Sequence, residues 1–90
     1  MIRVQVFVSG RVQGVCFRME TKIRADKLGL KGFVQNLEDG RIQVIIEGDK
    51  EKVDKLVNWL KRGPMFAKVT DIQVINENYT GEFKNFNILY

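Results

Sequence analysis

The chain predicts an α+β fold, a ferredoxin-like βαββαβ sandwich with one antiparallel or mixed sheet, two helices on one face and a short fifth strand. Three observations carry this expectation. Apolar and polar residues alternate from Ile2 to Ser9, a hairpin dipeptide occurs at Asp39-Gly40, and an amphipathic helical run lies between Asp49 and Gly63.

The elements follow in order. Ile2, Val4, Val6 and Val8 alternate with Arg3, Gln5, Phe7 and Ser9, which gives a strand with one fully apolar face. A glycine-bearing loop spans Gly10 to Gly14. A helix is expected from about Cys16 to Leu28 with Gly29 as its stop, because Phe17, Thr21, Ala25 and Leu28 recur on one face. Met19 and Ile23 fall on the opposite side, and the spacing does not explain why they are apolar. Gly32 to Leu37 and Arg41 to Glu47 form two strands around the Asp39-Gly40 turn, with Ile42, Val44 and Ile46 facing inward. In the second helix Asp49 is the N-cap candidate, Glu51 suits the first turn, and Val53, Leu56, Val57 and Leu60 keep the core spacing until Gly63-Pro64. Val69 to Ile75 is a fourth strand and Phe83 to Tyr90 a short fifth.

Composition bounds the chemistry. Ninety residues, 44% hydrophobic and 29% charged, are ordinary for one globular domain, expected here over residues 1–90. No apolar run approaches the roughly 20 residues that cross a bilayer, and the N-terminus alternates where an export signal needs an unbroken apolar stretch. A cytoplasmic location and no membrane partner are therefore expected. The chain has no histidine, which excludes imidazole bases and His-ligated metals, and its single cysteine, Cys16, excludes an internal disulfide and Cys-cluster metal sites. The formal charge of +4 fits an anionic ligand, but Lys22, Lys27, Lys31, Lys50, Lys52, Lys55 and Lys61 are scattered, as on a solubilising surface.

The segment Val8-Ser9-Gly10-Arg11-Val12-Gln13-Gly14-Val15-Cys16-Phe17-Arg18 runs from a strand end, through glycines, into a helix N-terminus. Consecutive N–H groups in such a loop can converge on an anion, assisted by the helix dipole. Arg18 lies in the first helical turn, where a cation opposes the dipole unless an anion is bound, and a guanidinium pairs with phosphate oxygens in bidentate fashion. A plain strand-to-helix loop with an exposed arginine is the alternative. Better-known phosphate motifs fail: Gly10 and Gly14 do not lead into Gly-Lys-Ser/Thr, and no G-x-G-x-x-G occurs. Cys16 stands only two residues before Arg18, too close for a cysteine-dependent phosphatase, and reads as a small packing group.

The run Val8 to Arg18 resembles the first acylphosphatase signature at Val8, Gly10, Val12, Gln13, Gly14, Val15, Phe17 and Arg18. The second signature is recognisable in Gly32-Phe33-Val34-Gln35-Asn36-Leu37-Glu38-Asp39-Gly40-Arg41-Ile42, ending at Gly48. Ile42 replaces a usual valine, and Phe33 takes a position that is often tryptophan. By these two motifs and its element order, the whole chain is similar to the small, organ-common type of that family.

The resemblance implies hydrolysis of acyl phosphates, R–CO–O–PO₃²⁻, to carboxylate and inorganic phosphate. It implies that the backbone of Arg11, Val12, Gln13, Gly14, Val15, Cys16, Phe17 and Arg18, with the Arg18 side chain, holds the phosphoryl group. It further implies that Asn36 positions the attacking water, while the side chains of Arg11 and Gln13 take no catalytic role. The chemistry agrees with that assignment. A carboxylate whose conjugate acid has a pKa of about 4 departs without a general acid, and phosphoryl transfer rests on positioning and charge stabilisation. Asn36 is neutral and orients water by hydrogen bonding; a turn asparagine ahead of Asp39-Gly40 is its bland alternative. No cofactor and no metal are expected, and the partners are a small acyl phosphate and phosphate, with the chain a monomer.

Two other classes compete. RNA-recognition motifs share the β-α-β-β-α-β order, and Val6-Phe7-Val8 and Lys31-Gly32-Phe33 imitate parts of their aromatic strands. Arg41-Ile42-Gln43-Val44-Ile45-Ile46 lacks the further aromatics such a domain needs, so no nucleic-acid partner is expected. A regulatory domain that carries the ligand without turning it over is the other. Acylphosphatase-like domains also occur in larger maturation proteins that handle carbamoyl phosphate, whereas this chain ends soon after its fifth strand, which favours a free-standing enzyme.

Overall fold

The computed structural model describes residues 1–90. The elements are β1 (Ile2–Arg11), α1 (Phe17–Lys27), β2 (Lys31–Asn36), β3 (Ile42–Gly48), α2 (Lys50–Leu60), β4 (Lys68–Glu77) and β5 (Phe86–Leu89). The strands form one sheet in the order β4-β1-β3-β2-β5. β1 pairs antiparallel with β3 and β4, β2 antiparallel with β3, and β2 parallel with β5. This is the ferredoxin-like α+β sandwich, and β5 makes the sheet mixed.

Residues paired across neighbouring strands share a face of the sheet. Val4, Val6 and Val8 of β1 stand opposite Ile46, Val44 and Ile42 of β3, and these stand opposite Gly32, Val34 and Asn36 of β2. The aliphatic members form the floor of a core of 16 buried residues. α1 covers the β2–β5 side with Phe17, Thr21 and Ala25, and α2 covers β1 and β3 with Val53, Leu56, Trp59 and Leu60. Thr21 is tolerated in the core because its hydroxyl donates to the carbonyl of Phe17 at 2.7 Å. Trp59, absent from the expected core face, is buried and meets Phe17 at a ring separation of 5.5 Å. No helix is long and apolar enough to cross a membrane.

Several boundaries differ from the sequence expectation. β1 runs on to Arg11 because β4 pairs with it as far as Arg11↔Lys68, after a bulge at Ser9/Gly10. There a side chain on Gly10 would put Cβ 2.1 Å from the carbonyl oxygen of Lys68, so only glycine fits. α1 begins at Phe17, since Cys16 is left-handed (φ 62°, ψ 21°). Asp49 is the N-cap of α2 without a side-chain bond; its carbonyl accepts from Val53 N–H at 2.8 Å. β5 is confined to Phe86–Leu89, because the preceding residues cross the helix-free face of the sheet. There Phe83 meets Phe33 at 5.9 Å and stacks beneath the Arg3 guanidinium at 5.4 Å.

The helix-free face carries a chain of polar side chains. Gln35 donates to Gln43, Gln43 to Gln5, and Gln5 to Glu77. Arg3 then bridges Glu77 at 2.8 Å and Glu47 at 3.3 Å. Glu47 is 1% exposed and accepts from Thr80 N–H at 3.0 Å, the Thr80 hydroxyl at 2.9 Å and Gly81 N–H at 3.1 Å. Burial pushes its carboxyl pKa up, but these bonds outweigh burial and leave it below the ordinary 4.5.

Candidate active site

The β1–α1 loop is shaped by two left-handed residues, Gly14 at φ 75° and Cys16 at φ 62°. Such turns aim successive N–H groups to one side. Outside helix and strand interiors, none of the backbone hydrogen bonds is donated by residues 12–19. The loop and the first turn of α1 therefore hold a row of free donors at the positive end of the helix dipole.

Six of these eight residues, all but Gln13 and Val15, border a cavity of about 250 Å³. The loop contributes Val12, Gly14 and Cys16, α1 contributes Phe17, Arg18 and Met19, and the strand ends contribute Asn36, Ile88 and Tyr90. Arg18 is the one charged side chain in this lining. Its Nη1 donates to the carbonyl of Leu89 at 3.0 Å, and its guanidinium lies 4.8 Å from the centre of the Tyr90 ring. Both contacts orient a planar guanidinium without engaging a carboxylate, so its charge is not neutralised by a fixed partner.

Asn36 reaches the cavity by strand parity. It sits two residues beyond Val34 on the core face of β2 and opposite Ile42. Its Oδ1 is buried with no hydrogen-bond partner in the protein. A buried amide oxygen left without a donor is uncommon, because it forfeits hydration without replacement. Oδ1 can accept from a water or ligand O–H.

Of the eight predicted loop residues, Val12, Gly14, Cys16, Phe17 and Arg18 line the cavity, whereas Arg11, Gln13 and Val15 do not. Arg11 is the last residue of β1, and its Nη2 donates to the carbonyl of Phe66 at 3.3 Å. Gln13 turns toward the β2–β3 hairpin, and Val15 packs against the core. Met19, an apolar residue off the core face of α1, is accounted for by the cavity; nothing in the structure explains the exposed Ile23. Sequence reasoning missed Ile88 and Tyr90. The alternation of Phe86 and Ile88 was a usable signal for Ile88, but only the parallel pairing Val34↔Ile88 brings it beside Asn36.

Fold and cavity define a class: an α+β sandwich whose first strand-to-helix loop presents free amides, one guanidinium and one unpartnered amide oxygen to a single cavity. The family model described as Acylphosphatase matches residues 4–88. Proteins named Acylphosphatase from Methylococcus capsulatus and Pelotomaculum thermopropionicum are 49% and 48% identical, over 99% and 98% of this chain and 97% and 96% of theirs. The crystal structure of acylphosphatase from Bacillus subtilis superposes with a TM-score of 0.95 at 39% identity, covering 100% of both chains. The chain belongs to the acylphosphatase family and is an enzyme of that class.

Proposed function

We propose that the chain hydrolyses acyl phosphates by direct attack of water, with the phosphoryl group held by the free amides of Val12, Gly14, Cys16, Phe17 and Arg18 and by the Arg18 side chain, and the water oriented by Asn36. The observation that carries this reading is the convergence of Arg18, Asn36 and the unused loop amides on one cavity of about 250 Å³. The amides and the guanidinium match the equatorial oxygens of a phosphoryl group, on which charge is spread during transfer. Water donates one O–H to Oδ1 of Asn36, and its oxygen forms the new P–O bond. The bond from phosphorus to the acyl oxygen breaks, and its electron pair leaves on the carboxylate. The dianionic substrate and water yield RCO₂⁻ and H₂PO₄⁻, so the protons of water remain on phosphate and no base is consumed. A carboxylate leaving group with a conjugate-acid pKa of about 4 needs no acid.

The same reading takes the reaction to be metal-independent. The chain has no histidine and one cysteine, and no three of its Cys, Asp and Glu side chains gather as metal ligands do. Positive field comes from amides and Arg18 instead. The proposal also takes residues 1–90 to act as one monomeric catalytic unit.

Benzoyl-phosphate hydrolysis by purified protein, with and without chelator, tests both statements. Turnover equal in the two conditions, competitively inhibited by inorganic phosphate, is expected. Absence of hydrolysis in a sample folded by circular dichroism counts against the reaction. Loss with chelator and recovery with Mg²⁺ or Zn²⁺ counts against the mechanism.

A further inference from the structure

The turn between α2 and β4 leaves two large apolar side chains in water: Met65 is 88% exposed and Phe66 71%. This turn is held in place. Gly63 N–H donates to the carbonyl of Trp59 at 2.7 Å, Ala67 N–H to that of Pro64 at 3.0 Å, and Arg11 grips the carbonyl of Phe66. A Cβ on Gly63 would stand 2.6 Å from the ring of Phe17, so the turn is seated against the first residue of α1. An adjacent apolar pair on a constrained turn has no packing role within the chain, and such patches mark binding surfaces.

Met65 and Phe66 line a groove of about 530 Å³ together with Val15 and Pro64, and its other walls are Gly14, Cys16 and Glu20. Gly14 and Cys16 also line the Arg18–Asn36 cavity, so groove and cavity adjoin at the rim of the loop. An acyl phosphate has a constant phosphoryl end and a variable acyl end joined by one bridging oxygen. With the phosphoryl end at the loop, an acyl group leaving over Gly14 and Cys16 meets Met65 and Phe66.

We infer that Met65 and Phe66 form the acyl subsite and select substrates with a neutral aromatic or extended aliphatic acyl group; the inference rests on the proposed hydrolysis. A planar acyl group stacks on the Phe66 ring, and the flexible thioether of Met65 adapts to its outline. Contact removes apolar surface of both partners from water. Glu20, the one charged side chain of the groove, disfavours acyl groups that end in a carboxylate. An acetyl group is too short to gain from the pair.

The test compares wild type with the double variant Met65→Ser/Phe66→Ser on benzoyl phosphate and acetyl phosphate. Both residues are exposed, and matching melting curves establish that the variant is folded. KM for benzoyl phosphate is expected to rise on the order of tenfold, with kcat, the KM for acetyl phosphate and inhibition by phosphate within twofold. The conservative variant Met65→Leu/Phe66→Tyr is expected to restore the benzoyl KM. If wild type and Met65→Ser/Phe66→Ser show the same benzoyl-to-acetyl ratio, the subsite is wrong while the reaction stands. If wild type turns over neither substrate, the proposed reaction falls and the subsite with it. An unchanged ratio together with self-association lost in the Ser variant would assign the pair to an interface between copies instead, and overturn the inference.

Discussion

The side-chain amide of Gln13 donates to the main-chain carbonyl of Leu37 at 2.8 Å, and its second N–H donates to that of Arg41 at 3.0 Å. Leu37 directly follows Asn36, and Leu37 N–H closes the hairpin on the Arg41 carbonyl at 2.8 Å. One side chain thus ties the amide-bearing loop to the strand end that carries the unpartnered amide oxygen. Gln13 does not line the cavity, and under the proposed reaction its side chain is a positioning residue.

Gln13→Ala leaves two part-buried carbonyls each one bond short, at a cost of about 1–2 kcal/mol in stability. It is expected to lower kcat while Gln13→Glu, which cannot donate to either carbonyl, lowers it further. Urea unfolding paired with steady-state kinetics checks this. Wild-type kcat in folded Gln13→Ala would show that the loop holds its geometry without the tether.

Asn36→Ala is expected to lower kcat by about 10²–10³-fold, as for loss of one preorganised polar contact to the transition state. Inhibition by phosphate should be little changed, because in the proposed reaction Asn36 addresses the water. Stability should not fall, since the substitution removes an unpartnered buried oxygen. A folded variant with unaltered kcat removes Asn36 from the mechanism.

Arg18→Gln is expected to impair both turnover and phosphate inhibition, because the proposed reaction has the guanidinium address phosphoryl oxygens in ground state and transition state alike. The contacts it also loses, to Leu89 and Tyr90, lie at the surface, so the melting temperature should shift little. Unchanged phosphate inhibition would place the anion elsewhere.

Cys16→Ala should keep most activity, since water is the proposed nucleophile, and a phosphoryl or acyl adduct on Cys16 by mass spectrometry would contradict that. Cys16→Gly is expected to stabilise the protein by about 0.5–1 kcal/mol, because φ 62° strains any residue with a Cβ. A calorimetric melting point below that of wild type would show that the left-handed turn is not strained.

Glu47→Gln removes a buried charge whose bonds come from Arg3, Thr80 and Gly81. It is expected to cost about 1–3 kcal/mol and to flatten the acid limb of stability. The folded carboxyl lies below 4.5, so its contribution is complete above the unfolded value and is lost as pH falls through the folded one. Denaturant midpoints measured downward from pH 5 in both proteins check the sign. An equal acid slope in the two would assign the limb to other carboxylates.

The sequence by itself determined the order of elements, the apolar face of each strand, and both candidate side chains of the site. Alternation around Val6 and Val44 and the helical spacing of Val53, Leu56 and Leu60 record which face each element must bury, and a face is a local property of the chain. Even the inward aim of Asn36 follows from its parity with Val34. Arg18 and Asn36 were legible through their motifs, and the loop through its glycines. Tertiary structure decided what lies beside those faces. It set β5 parallel to β2, which brought Ile88 and Tyr90 to the cavity, and it turned Gln13 onto the Leu37 carbonyl. It also buried Glu47, which in sequence is only a charge at a strand end, beneath Thr80 and Gly81. Each of these contacts joins residues more than 20 positions apart. Periodicity reports burial but not the identity of the neighbour, which is settled only when the sheet closes and every buried donor and acceptor must find its partner.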